Sequence, residues 1–379
     1  MFDMHGDEYF QNNFMTPPII DLSDRTNMFY WQTNRKISAQ QDKEIFLSRH
    51  ARFNEEGLRR AAVAGMKKAG FSGDDASVRA VEPIIANGLI NTVVPIVLKS
   101  GRNIVLRMHP PEVKNGYFWV ESLASKIVQL AGVPTYMCLV VDDTRASVPF
   151  DYMIMTREPG KPVQDLWPLP PDLEEHFVTQ TGRYAARIHS IEPDGFGFFR
   201  NDAAKKDGQL LGQYTSLQEH MYAGMEEDLS YLEDSKTITV SQRKIIEGVF
   251  AKHTDLFSTK KSVLIHNDIA DWNTLTDGTN ITAIMDWDEC VGGDPIMELS
   301  AYSLFFGEPR MSWFIRGYEE VKKLGDWKEK FELFKLRYLV SKLHLRKKRS
   351  TVDSSDQITR NLVRGLEAMQ EVFAYFRVS

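Results

Sequence analysis

Several features that would place a sequence quickly are missing from this chain. It has two cysteines, Cys138 and Cys290, in 379 residues. No disulfide framework can carry the fold, and a reducing compartment is expected. No run of about twenty apolar residues occurs, so no transmembrane helix is expected. Basic residues are not in excess: 46 Lys and Arg stand against 52 Asp and Glu, a net charge of −6. Such a balance gives no general attraction to nucleic acid or to anionic membranes, and neither is expected as a partner. The opening MFDMHGDEYF is acidic and lacks the positive-then-apolar order of a secretory signal, so a cytoplasmic location is expected. H-E-x-x-H, paired C-x-x-C, G-x-S-x-G and G-x-x-x-x-G-K-[ST] are all absent. Metalloprotease, zinc-module, α/β-hydrolase and P-loop chemistry therefore lack support. GFGFF (Gly195–Phe199) has too few glycines for a dinucleotide loop and reads as a turn.

What is present is enough apolar sequence, 42%, for a large core. Residues 1 to about 37 read as an irregular arm anchored by MFYWQ (Met28–Gln32). Ser38 is placed to cap a helix running to about His50. Asn54 is placed to cap a second, with Glu55 and Glu56 in its first turn and Gly70 as its stop. From Ser77 the pattern changes to short β-branched runs, VRAVEPII, TVVPIVLK and NIVLRMH, an antiparallel meander. A helical stretch opening at Pro111 and Glu112 follows, then two further strands, YMCLVV and FDYMIMT. REPGKP (Arg157–Pro162) interrupts with Pro and Gly, as a lobe boundary does. Beyond it, EEHFVTQTGRYAARIHSI, LQEHMYAGMEEDLSYL and SQRKIIEGVFAKH each show helical spacing. Two short strands, near Val263–Ile265 and Ile281–Met285, form one hairpin, and more helices follow from about Pro295. The expected fold is α+β and two-lobed. It comprises an N-terminal arm with helices (1–75), a β-rich lobe (76–156) and a helical lobe (157–379).

The apolar run Val263–Ile265 stops at IHNDIADWN, and IMDWDECVGGDP follows closely. The first places His266, Asp268 and Asn273 in the spacing H-x-D-x-x-x-x-N, and the second adds Asp286 at a strand end. Phosphoryl transfer explains these residue types, because its transition state needs positioning and charge neutralisation more than covalent help. A carboxylate must orient the attacking hydroxyl and take its proton; Asp268 fits. Mg²⁺ on nucleotide phosphates asks for one or two carboxylates and an amide oxygen, which Asp286 and Asn273 supply. His266 fits a brace for the loop. Asp288 and Glu289 read either as a second cation or amine site or as an exposed turn. Asp294 reads as the cap of the helix that Pro295 begins, and His189 as a packed histidine.

With these residues the chain resembles the aminoglycoside phosphotransferase and choline kinase group, relatives of the protein kinases, from about Val78 to Tyr302. The resemblance implies a two-lobed protein-kinase-like fold and transfer of the γ-phosphate of ATP or GTP to a small-molecule hydroxyl. His266, Asp268 and Asn273 match its catalytic loop and Asp286 its metal-binding Asp. NIVLRMHPP puts Arg107 at the phosphate-contacting position, and Glu121 becomes its helix partner. ANGLINTV stands in the phosphate-covering loop, with Gly88 and Asn91 as candidates. The nucleotide would sit near a hinge at Met155 to Glu158, bringing in Met155 and Arg157. Two departures stand out: Trp272 where the group usually has Gly, and Glu298 where it usually has Asp. A catalytically inactive nucleotide-binding protein and a protein kinase remain alternatives. The short Gly-Gly-Asp-Pro turn after Asp286 leaves no room for a peptide platform. The acceptor and the oligomeric state are left open; Asp271 and Trp272 are where an unusual acceptor is expected to show.

Overall fold

The computed structural model describes residues 20–21, 44, 47–48, 50–51, 53–85, 91–111, 113–114, 116–351 and 355–376. Gly88, the aromatic cluster Met28–Gln32 and most of the helix expected from Ser38 lie outside the described residues.

Helices of nine or more residues are numbered. Helix α1 (Glu55–Lys68) starts as its sequence asks. The Asn54 side chain accepts from the Gly57 amide at 2.8 Å, and acidic residues occupy the first turn and basic ones the last. Gly70 follows at φ +90. Five antiparallel strands come next: β1 (Val78–Val81), β2 (Thr92–Leu98), β3 (Asn103–Met108), β4 (Cys138–Asp142) and β5 (Tyr152–Thr156). Their order is β1-β2-β3-β5-β4. Strand alternation sorts β3: Ile104, Leu106 and Met108 pack with α1, while Val105 faces the opposite core. Arg107 shares the Val105 face by the same period of two. Helix α2 (Phe118–Leu130) begins later than the Pro111 signal suggests. Val113–Lys114 is extended instead, paired in parallel with Ile20–Asp21, a partner about ninety residues away that no local pattern shows.

The rest is mainly helical, with two small sheets where the sequence suggests one hairpin. Strand β6 (Lys161–Pro162), in the segment read as a break, pairs with β10 (Thr274–Thr276), which pairs with β11 (Ile281–Ile284). A four-stranded sheet has the order β8-β7-β12-β9, where β7 is Phe196–Phe199, β8 Gly212–Tyr214, β9 Val263–Ile265 and β12 Val291–Gly293. GFGFF is thus a central strand, not a turn, and the first residues of the expected Gly-Gly-Asp-Pro turn belong to β12, which pairs with β7 and β9. Phe196 and Phe198 bury in the core, and their pairing partners are remote in sequence.

Helix α3 spans Pro171–Ile188, α4 Met225–Asp234, α5 Val240–Lys252, α6 Pro295–Ser303, α7 Arg310–Glu319, α8 Lys328–Arg349 and α9 Asp356–Tyr375. The helix expected over Leu217–Leu232 is split, because Gly224 adopts φ +68 between a short helix, Leu217–Tyr222, and α4. Helices α3 and α7 meet backbone to backbone. A Cβ at Gly182 would lie 2.1 Å from the Phe314 carbonyl, and one at Gly317 would lie 2.0 Å from that of Thr179. One apolar core runs from the inner face of the first sheet through α2 and α3 to the buried Trp287, linking the sheet to the helical part. No helix among the described residues is long and apolar enough to cross a membrane.

Candidate active site

Strand β9 delivers His266 into the interior, and backbone hydrogen bonds then shape the loop. Glu298, in the first turn of α6, accepts from the amides of His266 (2.7 Å) and Asn267 (3.0 Å) with its two oxygens. The departure from Asp is therefore structural: this carboxylate pins the loop to the helix that Asp294 caps at 2.9 Å. Asn267 sits at φ +72, a left-handed conformation Asn tolerates better than most side chains. Its side chain accepts from the Tyr338 hydroxyl of α8. His266 Nδ1 accepts from the Asp268 amide at 3.3 Å. Nε2 must then carry the proton, donated to the Met285 carbonyl at 2.8 Å. A ring committed at both nitrogens braces the two loops.

Asp268 and Asn273 come together five residues apart. Asn273 Nδ2 donates to the Asp268 carboxylate at 2.9 Å and to its carbonyl at 3.0 Å. The Met285 amide donates to the Asn273 carbonyl at 2.7 Å, which brings Asp286 alongside. Asp286 is itself left-handed, φ +70. Buried Trp287, donating to Thr135 at 3.0 Å, anchors the turn that carries Asp286 and Asp288.

Across from them, Arg107 of β3 is buried and makes three ion pairs: Glu121 at 3.0 Å, Asp286 at 2.7 Å and Asp288 at 3.1 Å. The Asn91 amide, oriented with its oxygen toward Arg107, accepts at 2.7 and 3.1 Å and donates to His109 at 2.7 Å. Glu121, fully buried in α2, also accepts from Tyr136 at 3.3 Å. Burial acts to raise the Asp286 carboxyl, but the Arg107 charge and hydrogen bond outweigh it, leaving it below its ordinary value. Burial and the charge of Asp286 push Asp288 well above the usual range. Burial also raises Asp268, opposed first by the charge of Lys342 on α8.

The structure thus brings Asp268, Asn273, Asp286, Arg107 and Glu121 into one site, with the buried Asn91 bracing Arg107. Met155 is buried in the core of β5. Arg157 pairs with Glu82 at 2.9 Å on the exposed sheet edge and is not part of the Arg107 cluster. His189 is packed, 2.9 Å from the Tyr318 hydroxyl. Lys342, Arg310, Tyr136 and Tyr338 escaped the sequence reading; they lie on elements far along the chain and carry no motif.

Among the described residues no group of three or more His, Cys, Asp or Glu could hold a metal ion unaided. The donor set at hand, the Asp286 carboxylate and the amide oxygen that Asn273 leaves uncommitted to Asp268, is hard and incomplete. That suits Mg²⁺, which takes one or two carboxylates plus substrate phosphates.

Beside Asp268 opens a cavity of about 430 Å³. Trp272 lines it and donates its indole N–H to Asp268 Oδ2 at 3.4 Å. Asp271 lies behind, receiving Arg310 at 2.5 and 2.9 Å and the Trp167 indole at 2.9 Å.

The family model described as "Phosphotransferase enzyme family" matches residues 83–329, more than half of the chain, a range that holds Arg107, Glu121, Asp268, Asn273 and Asp286. The chain belongs to that family. The fold is the two-lobed, protein-kinase-like one. The chain is 27% identical over 176 residues to Hygromycin-B 4-O-kinase of Escherichia coli, covering 45% of this chain and 47% of that protein. The match thus spans about half the length of that relative. Among solved structures it is similar to a thermostable mutant of aminoglycoside phosphotransferase APH(4)-Ia in ternary complex with AMP-PNP and hygromycin B. There the TM-score is 0.59 at 21% identity, covering 78% of this chain and 95% of that one. It is also similar to APH(2")-IIia in complex with GDP and kanamycin, with TM-score 0.54, 19% identity, 79% of this chain and 94% of that one.

Proposed function

We propose that this phosphotransferase moves the γ-phosphoryl group of ATP or GTP to a hydroxyl of a small molecule, using Mg²⁺. The observation that carries the reading is the bonded pair Asp268–Asn273 set against Asp286 and Arg107 across the two halves of the molecule. Asp268 orients the acceptor hydroxyl and takes its proton as the oxygen–phosphorus bond forms and the bond to the nucleoside diphosphate breaks. Its raised pKa makes the carboxylate a better proton acceptor than an exposed Asp. Asn273 holds the Asp268 carboxylate in place. Arg107, kept rigid by Glu121 and Asn91, presents a fixed positive charge to the phosphates. Asp286 and Asn273 would hold Mg²⁺, which when bound neutralises charge developing on the phosphate oxygens. Relatives named for hygromycin and kanamycin support an antibiotic alcohol as one class of acceptor.

The test is release of nucleoside diphosphate with ATP or GTP, Mg²⁺ and a panel of alcohols including hygromycin B. Asp268→Ala should lower the rate by about 10²–10⁴-fold, the usual contribution of a positioned base. Equal turnover by the variant and the unmodified protein would sink the role of Asp268, and labelled phosphate appearing only on proteins would overturn the small-molecule acceptor.

A further inference from the structure

The cavity beside Asp268 has an unusual wall. A carboxylate next to aromatic faces is the arrangement that draws a cation. Here that arrangement is already filled from within. The Arg310 guanidinium lies 4.0 Å from the Phe306 ring centroid and 5.1 Å from that of Trp167, and it bonds both oxygens of Asp271. Arg310 is buried. The other two carboxylates of the wall are committed as well. Glu174 lies 3.7 Å from Arg310 Nε, and Glu308 accepts from the Ser312 amide and hydroxyl at 3.2 and 2.7 Å.

What remains open is apolar. Trp272 is 37% exposed although it sits in the catalytic loop; it meets Phe305 edge to face, with centroids 4.8 Å apart at 87°, and Phe306 lies tilted at 6.3 Å. Its N–H is directed to Asp268, so a ring lying on its face has its rim beside the base. The volume, about 430 Å³, is within the range of small-molecule sites, ~300–1,000 Å³.

We propose that this cavity is the acceptor pocket, that it takes an uncharged cyclic alcohol through an apolar ring face laid on Trp272, and that Arg310 occupies in cis the position a cationic acceptor group would take. The inference rests on the kinase reading above and adds to it the class of acceptor and the residues that select it. Trp272 is a specificity-determining residue; Asp271 and Arg310 position it by tying the catalytic loop to Trp167 and to the start of α7.

The experiment measures ADP release with ATP and Mg²⁺ for three sets of probes. Methyl β-glucoside and trans-cyclohexane-1,2-diol are uncharged rings, kanamycin and hygromycin B are polycationic rings, and choline and homoserine are acyclic. The uncharged rings should lead in kcat/KM by about tenfold, the scale of one well-filled pocket contact. With the best ring, Trp272→Leu should raise KM by about tenfold with a smaller change in kcat, while Trp272→Phe, which keeps a ring face, restores KM. Arg310→Met vacates the cation position and should improve kanamycin or choline relative to the uncharged rings. A polycationic or acyclic probe leading in the unmodified protein overturns the proposal. So does failure of every uncharged ring while Asp268-dependent nucleotide hydrolysis persists, and so does a KM indifferent to Trp272→Leu. Loss of any difference between the unmodified protein and Asp268→Ala in nucleotide hydrolysis strikes instead at the kinase reading. The Trp272 pair keeps the proposal testable if Arg310→Met does not fold.

Discussion

At the scale of single residues, the site is a set of charges whose neighbours decide their protonation. Asp268 is raised by burial and held partly in check by Lys342. A base must be ionised to accept a proton, so the rate falls as pH drops through the Asp268 pKa, above the ordinary range for Asp. Removing the nearby positive charge disfavours the carboxylate further. Lys342→Met is therefore expected to move the acid limb of the kcat/KM–pH profile to higher pH. A limb that stays in place or moves down would show that Lys342 does not act on the base. His266 makes a contrasting point. Both of its ring nitrogens are engaged, one by the Asp268 amide and one by the Met285 carbonyl.

At the scale of elements, the crossing of α3 and α7 has consequences for the acceptor side. Gly182 and Gly317 let two helix backbones touch, and α7 begins with Arg310. Gly317→Ala must push α7 outward, because the new Cβ would meet the Thr179 carbonyl rather than a flexible side chain. The expected cost is about 1–3 kcal/mol, the usual penalty for overpacking, read as a lower denaturant midpoint. Moving Arg310 away from Asp271 should also raise the acceptor KM. An unchanged midpoint together with an unchanged KM would show that the helices separate freely and that α7 does not set the pocket. The elements themselves were only partly legible. The α1 cap, the five strands of the first sheet and the long helices have local signatures. Phe196–Phe199 and Lys161–Pro162 do not, since short strands interrupted by Gly or Pro owe their extended form to partners elsewhere in the chain.

At the scale of the whole molecule, Arg107 is the link between the first sheet and the helical part. It reaches from β3 to Asp286 and Asp288, about 180 residues later, while Glu121 holds it from below. On the proposed reading a nucleotide binds between the two parts and adds to the ion pairs that already join them. Saturation at about 100 times Kd adds about 2.7 kcal/mol to the unfolding free energy of a protein that binds only when folded. ATP with Mg²⁺ should therefore raise the thermal midpoint, and Asp286→Ala should abolish most of the part that depends on Mg²⁺. A midpoint shift in that variant equal to the original would remove Asp286 from the cation site.

The sequence by itself singled out the candidate residues of the loop. Residue type and spacing along one loop, His266, Asp268 and Asn273, with Asp286 a hairpin later, are local properties, and the hydrogen-bonding and charge demands of phosphoryl transfer select few alternatives to them. Arg107 and Glu121 were named through the family resemblance, and the structure pairs them at 3.0 Å. Only the tertiary structure decided what each partner does. It turned Asn91 into a brace for Arg107 and Glu298 into the anchor of the catalytic loop. It placed Arg157 on an exposed pair with Glu82, and it resolved Asp271 and Trp272 into a clamp and a pocket floor. Those outcomes depend on partners tens of residues away, Arg107 for Asn91, Glu82 for Arg157 and Arg310 for Asp271. Contacts of that kind are set by how apolar faces stack and leave no period or motif along the chain.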